Sequence, residues 1–533
     1  MIFLPLVAAV IVGFLPGSQK TLIRVVALGT TIIQMILGIV LYFGFDGSQK
    51  PTSWADAFQF VERLPWMSLQ LGSFGKLEVN YIVGIDGISM PLILLSGILL
   101  VIGVISSWKL QEKVKGYFLL YLVLSASLIG CFAALDFFLF YVFFEFMLLP
   151  MFFLIGIWGG PRRSYASIKF FLYTLLGSIL ILIVMIGLYL SVGTLEGGIQ
   201  TNTFSLIQMM DGNYLSNTLL DPQGDFMLWG MPLRYVAFIL VLIGFMIKLP
   251  AVPFHTWLPD AHVEAPTAIS VLLAGILLKV GGYGLFRICY SIFPDAAIDM
   301  AQPVAILGVI AIIYGGLVAM AQNDVKKLIA YSSVSHMGFV LLGLAALTSE
   351  GVAGSLFQMV SHGFISGALF LIVGVIYDRT HDRQIENISG LANKMPAYTF
   401  FVVVFFFASL GLPGLSGFVG EVLVLMGAIG AESVNHLFPR WIGMLAVLGI
   451  IISAGYYLWT LQRMFFGKYW TREASWDQFM KDLSIREWLM LAPLAVLVVV
   501  FGVFPSLLLD PIDNSIRFFV ESIFSQGQNY LNF

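Results

Sequence analysis

The sequence predicts an all-α polytopic membrane protein of about fourteen transmembrane helices, with two inverted five-helix repeats in which helices 7 and 12 are discontinuous. Three observations predict it: the composition, the recurrence of apolar segments of spanning length, and two proline-containing interruptions inside such segments. Of 533 residues 59% are hydrophobic and 11% charged, whereas soluble domains carry roughly 25% charged residues. Hydrocarbon is therefore the main solvent. A net charge of −3 gives no footprint for nucleic acid.

The charges gather between apolar segments of about 18 to 25 residues, enough to cross roughly 30 Å of hydrocarbon. The first, 1–15, has no basic start and no small-residue cleavage site, so it reads as a crossing segment and not a signal peptide. With 21–44 and 82–106 it forms an N-terminal group, residues 1–116. Segments 117–134, 137–156, 167–192, 234–262 and 266–287 make the first repeat, residues 117–287. Segments 302–321, 326–347, 352–377, 399–430 and 441–466 make the second, residues 302–466. A last segment, 487–509, and a tail complete residues 487–533 of a single membrane domain. In the tail, Ile512, Ile516, Phe519, Val520 and Ile523 recur at helical spacing, which predicts an interfacial helix. The long connections 45–81 and 191–233 have no function legible in the sequence.

Cytoplasmic loops retain Lys and Arg. Alternating the loops puts the clusters Lys109/Lys113/Lys115, Arg162/Arg163, Lys326/Lys327, Arg379/Arg383 and Arg463/Lys468/Arg472 on one side. The other side receives fewer: Lys50, Arg63, Lys76, Arg234, Arg287, Arg440 and Arg517. Both termini are therefore expected to face outward. Lys248 and Lys279 are left inside the membrane.

Segments seven and twelve hold Pro250 and Pro253, and Pro413, Gly414 and Gly417. Such breaks free backbone groups within the bilayer and are tolerated where protein or a water-filled cavity satisfies them. A pair of them in corresponding places points to a transport site, although a single proline kink also occurs in ordinary membrane helices. Ionisable residues accompany the breaks: Glu145, Lys248, Lys279 and Glu421. Each costs roughly 2.5–3.5 kcal/mol at the bilayer centre on insertion scales, which favours function, with a helix-locking salt bridge as the structural alternative. His336 and His362, between the breaks, suit a proton relay, since histidine titrates near neutral pH; each could equally be a satisfied packing residue. His255, Asp260, His262 and Glu264 follow the first break and serve either proton admission or, preferably, capping of the broken helix. No metal site is expected there, because the loop lacks cysteine and the usual zinc spacings.

Cys131 and Cys289 lie apart in apolar segments, and the sequence has neither a G-x-G-x-x-G nor a phosphate-binding G-x-x-x-x-G-K-[ST] motif. No cofactor is therefore expected in this chain. Two opposite charges 4 Å apart attract by about 4 kcal/mol at an effective dielectric of 20. Moving one charge against 100 mV takes about 2.3 kcal/mol, so opening one pair is enough to drive a step. The expected order is Lys248, with Glu145 as its partner, then Lys279, then His336 and His362, then Glu421.

The runs KLPAVPFHTWLPDAHVEAPTAISVLLAGILLKVGGYGLFR (248–287), DVKKLIAYSSVSHMGF (324–339) and GLPGLSGFVGE (411–421) resemble the antiporter-like subunits of respiratory complex I over essentially the whole chain. The resemblance implies a proton-translocating subunit in which Glu145 and Lys248 form the pair between helices 5 and 7, Lys279 is the central lysine and Glu421 the helix 12 group. It further implies that NADH, FMN, iron–sulfur clusters and quinone belong to other subunits of the assembly, a NADH:quinone oxidoreductase. Glu421, where the L and N types and Mrp antiporter subunits carry Lys, is similar to the M (chain 4) type. The short tail speaks against the L type, and Asp260 to Pro266 looks bacterial, hence a bacterial inner membrane. Implied partners are the L-type and N-type chains, the lateral helix of the L-type chain, small membrane subunits and lipid. The alternatives are an Mrp-type cation/proton antiporter subunit and the membrane subunit of an energy-converting hydrogenase.

Overall fold

The computed structural model describes residues 1–70, 76–196, 199–215, 218–224 and 226–531. Among the described residues twelve helices are long and apolar enough to cross a membrane, and Phe3–Phe14 and Pro396–Ser409 are shorter apolar ones. The burial pattern inverts that of a soluble protein. Leu172, Ile183 and Ile451 point away from the protein on peripheral helices. By contrast, Thr267–Tyr290 and Ser349–Thr380 are buried over the whole of their most apolar windows, and Val325–Ala346 over 94%. Lys279, His336 and His362 sit on these innermost helices.

Segment seven divides as predicted, into Leu233–Lys248 and Trp257–Glu264. Segment twelve divides into Pro396–Ser409 and Ser416–Val434. At the second break Gly411 (φ 78°) and Gly414 (φ 92°) take left-handed backbone, which glycine adopts without a Cβ penalty. The Thr267–Tyr290 segment is α-helical around two wider π turns, Leu273–Leu277 and Leu285–Tyr290. Small residues bring the central helices together: a Cβ on Gly281 would collide with the backbone of Lys248 and Leu249, and Gly363 packs against Gly275 and Leu95.

The long connections add β-structure to the helical body. Gln59–Gln70 and Lys76–Ile85 pair antiparallel, and Ile199–Asn202 and Gly193–Glu196 extend them to a four-stranded sheet in the order first, second, fourth, third. The start of the expected segment 82–106 is thus the end of a strand, and its helix runs Ser89–Ser106. The tail helix, Ser506–Leu531, differs from the interfacial expectation. Its apolar stripe, Ile512, Ile516, Phe519, Val520 and Ile523, is buried against the protein itself, with Phe519 packed on Phe286 and Phe518 on Trp54. The spacing specifies an amphipathic helix, and the groove between the 45–58 connection and Thr267–Tyr290 supplies the apolar surface it covers.

Candidate functional site

Lys279 lies at the inner turn of the Thr267–Tyr290 segment and is fully buried. Its Nζ donates to the Ala274 carbonyl at 2.6 Å, at the edge of the first π turn, and lies 2.7 Å from His362 Nδ1. The His362 and His336 rings are 5.5 Å apart, centroid to centroid. His336 Nδ1 is 3.5 Å from Glu421 Oε1, with Gln358 Nε2 at 3.3 Å on the same nitrogen and Ser409 Oγ at 3.2 Å on Nε2. His336, Gln358, His362, Ser409, Gly417 and Glu421 line one small cavity. The spatial order is thus Lys279, His362, His336, Glu421. The two histidines stand in the reverse of their sequence order because the helix of His362 packs directly on the Thr267–Tyr290 segment and that of His336 lies beyond it.

The second break builds the Glu421 end. Ser409 closes the first half-helix and passes its hydroxyl hydrogen to Tyr457, which in turn donates to Ser332. Ser416 opens the second half-helix and accepts from Ser361. Glu421 follows one turn later, and its Oε2, which has no hydrogen-bond partner, lies over Gly411. Gly417 has room only for hydrogen beside the Ala408 carbonyl, and Gly414 faces open space. Pro413 stands between Gly411 and Gly414 in the turn.

The first break is built differently. Lys248 ends its half-helix buried, ahead of the turn containing Pro250 and Pro253, with Nζ 4.9 Å from the Phe144 ring centroid and 5.8 Å from that of Phe170. Glu145 is an electrostatic neighbour of Lys248 and faces Tyr141, yet Glu145 Oε1 and Lys248 Nζ both lack a hydrogen-bond partner. The pair implied by family resemblance stands open, with aromatic rings around the ammonium.

The residues after that break separate into two groups. Glu264 is a cap: Oε2 accepts from the Arg162 N–H at 2.8 Å, and its carbonyl accepts from Gly160. Asp260 pairs with Lys169 at 2.7 Å. His255 packs edge-on to Tyr314, and its Nδ1 is unpartnered. His262 is fully buried and stacked on Phe370 at 4.3 Å with both ring nitrogens unpartnered, and it neighbours Lys279, His362 and Lys326 electrostatically.

Several polar residues escaped the sequence reading. Gln358, Ser409, Tyr457 and Ser332 are types too common to single out; the faint signal was that Gln358 precedes His362 by one helical turn. Lys326 was placed with the loop cations, yet it is buried and donates to the Ala265 carbonyl at 2.6 Å, binding the short helix after the first break. Arg234 and Arg287 are likewise buried and paired, with Asp295 at 2.8 Å and Asp86 at 2.6 Å.

Two half-helices opening onto a buried row of ionisable side chains define a membrane transport protein of the broken-helix type. The family model described as "NADH:quinone oxidoreductase/Mrp antiporter, TM" matches residues 134–448. NADH-quinone oxidoreductase subunit M of Rhodobacter capsulatus is 42% identical over 530 residues, spanning 98% of this chain and 95% of that protein. A chain of respiratory complex I from Thermus thermophilus with bound NADH superposes with a TM-score of 0.79 at 30% identity, covering 98% of both. A chain of the Mrp complex from Dietzia sp. shares the fold, with a TM-score of 0.77 at 19% identity over 98% of both. This chain therefore belongs to the NADH:quinone oxidoreductase/Mrp antiporter transmembrane family, in its subunit M group.

Proposed function

We propose that this chain is the M-type proton pump of a bacterial NADH:quinone oxidoreductase, moving protons along Lys279, His362, His336 and Glu421. The contact of Lys279 Nζ with His362 Nδ1, 2.7 Å long and fully buried, carries the reading. It puts two groups that each exist protonated or free at hydrogen-bond distance, so a proton on one is one hop from the other. Glu145 and Lys248 act as the switch. With Glu145 apart, the desolvated Lys248 gives its proton toward Lys279, whose helix packs on the Lys248 backbone at Gly281; closing the pair keeps the proton on Lys248. His255 and Asp260 serve the uptake side, and Glu264 holds its shape.

On this reading the chain crosses the membrane fourteen times, with residues 117–287 and 302–466 as inverted repeats and both termini outside the bacterial plasma membrane. It binds no redox group. NADH, FMN, the iron–sulfur clusters and quinone belong to other subunits, and its neighbours are the L-type and N-type chains, the lateral helix of the L-type chain and small membrane subunits. Glu421 supports this assignment over cation/proton antiport through the family pattern, in which the M type carries Glu where Mrp subunits carry Lys; its carboxylate stands 3.5 Å from His336 Nδ1, within reach of that proton. The test uses the complete complex in liposomes. Lys279→Ala and Glu421→Gln should lower the protons ejected per electron while uncoupled NADH:quinone turnover persists; an unchanged ratio in assembled complex refutes the assignment.

A further inference from the structure

A second line of polar side chains leads away from Lys279 along its own helix, outside the relay. Tyr283 and Arg287 follow it at four-residue intervals along the same helix face, toward the end that bears the sheet. Arg287 is fully buried. Its Nη2 donates to Asp86 Oδ2 at 2.6 Å and its Nε to the Tyr283 hydroxyl at 3.2 Å, while Nη1 has no partner. Phe58, from the loop before the sheet, covers the guanidinium at 4.7 Å. Asp86 is fixed in turn, its Oδ1 accepting from the Ile88 and Ser89 N–H groups at 3.2 and 2.9 Å. Below the pair lies an aromatic layer: Tyr283 meets Phe132 at 5.4 Å and Phe140 at 6.4 Å, and Phe140 meets Phe245 at 6.1 Å.

A proton wire needs groups that accept as well as donate. Guanidinium has five donors, no acceptor, and does not deprotonate in proteins, so no hop passes through it. Fixed arginines exclude protons from pores on the same ground. We propose that the Asp86–Arg287 pair is itself the proton barrier that closes the sheet-bearing end of residues 117–287, the aromatic layer beneath serving to hold the pair in place. A proton on Lys279 is thereby left with the sideways step to His362. The inference rests on Lys279 being a carrier, and its content is the seal.

The experiment imposes a pH gradient on liposomes holding the complete complex, without NADH, and follows its collapse with an entrapped dye. Two variants differ only at position 287, Asp86→Asn/Arg287→Gln and Asp86→Asn/Arg287→Met; the asparagine they share keeps a side-chain carbonyl to cap the following helix. Glutamine offers donor and acceptor and should collapse the gradient several-fold faster than the native complex. Methionine fills the space without polar groups and should hold it at the native rate. Adding Lys279→Ala to the glutamine variant should restore tightness. A tight glutamine variant, a methionine variant that leaks equally, or a leak indifferent to Lys279→Ala overturns the barrier. NADH-driven ejection by Lys279→Ala alone is read separately: normal ejection there sinks the pump reading, whereas a tight glutamine variant in a complex that needs Lys279 sinks only the barrier.

Discussion

Gly411→Ala perturbs the relay without touching a titratable group. Gly411 holds φ 78°, and a Cβ built on it would overlap Glu421 Oε2. An alanine in left-handed backbone costs about 1–2 kcal/mol, which a large assembly withstands. Restoring ordinary van der Waals separation moves the carboxylate oxygen by about 1 Å. If the carboxylate shifts as a unit, the distance from His336 Nδ1 to Glu421 Oε1 lengthens from 3.5 Å to at most about 4.5 Å, outside ion-pair reach. At an effective dielectric of 20 the attraction between charged partners drops from about 5 to about 4 kcal/mol. The geometric penalty dominates, because a misplacement of about 1 Å can cost on the order of 100-fold in rate. Gly414→Ala is the control: Gly414 holds φ 92°, but its Cβ would meet nothing within 4 Å. Both variants are assembled, checked on native gels and assayed in liposomes for protons ejected per electron. The ratio should fall in Gly411→Ala and stay native in Gly414→Ala. Equal ratios in the two would refute placing Glu421 in the path.

Lys248→Ala should abolish this chain's pumping while the complex assembles, measured as the proton-to-electron ratio; full pumping removes Lys248 from the mechanism. Arg234→Met leaves the buried Asp295 without the Arg234 Nε, which donates to both of its carboxylate oxygens at 2.8 and 2.9 Å. The cost should be about 3–5 kcal/mol, seen as a lowered melting temperature that Arg234→Met/Asp295→Leu largely recovers. Asp136, which begins the helix Phe137–Phe146, is pushed up to about 6 by burial, against backbone N–H groups from Leu139 and Asn80 that favour its ionised form. The folded protein thus holds this proton more tightly than the unfolded chain, and the Asp136 contribution to stability is lost as pH rises through about 6. Asp136→Asn should flatten that part of the melting-temperature profile between about pH 4 and 7; an unaltered profile argues against a buried, proton-holding carboxyl.

The membrane class and the places of the two breaks were legible because both follow from local chemistry: apolar runs long enough for hydrocarbon, and prolines and glycines that cannot continue a helix. Glu145, Lys248, Lys279 and Glu421 stood out for the same reason, as charges in runs that exclude charge. Contacts between distant segments were not legible. Nothing local distinguishes Lys326, buried beneath Ala265, from the exposed loop cations it was grouped with, or tells that Arg287 would find Asp86. The tail showed an apolar stripe but not its partner, since periodicity reports which face is apolar and not what covers it.

What the chain determined by itself is the solvent it folds in, the interruption of two helices and the side chains too costly to bury idly. Tertiary structure alone decided that His362 precedes His336 from Lys279, that Glu145 and Lys248 stand apart, and that Gly411 leaves room for Glu421. The physical reason is range. Solvation and helix propensity act within a turn or two of the chain, whereas a proton path consists of distances of about 3 Å between residues brought together only when antiparallel helices pack.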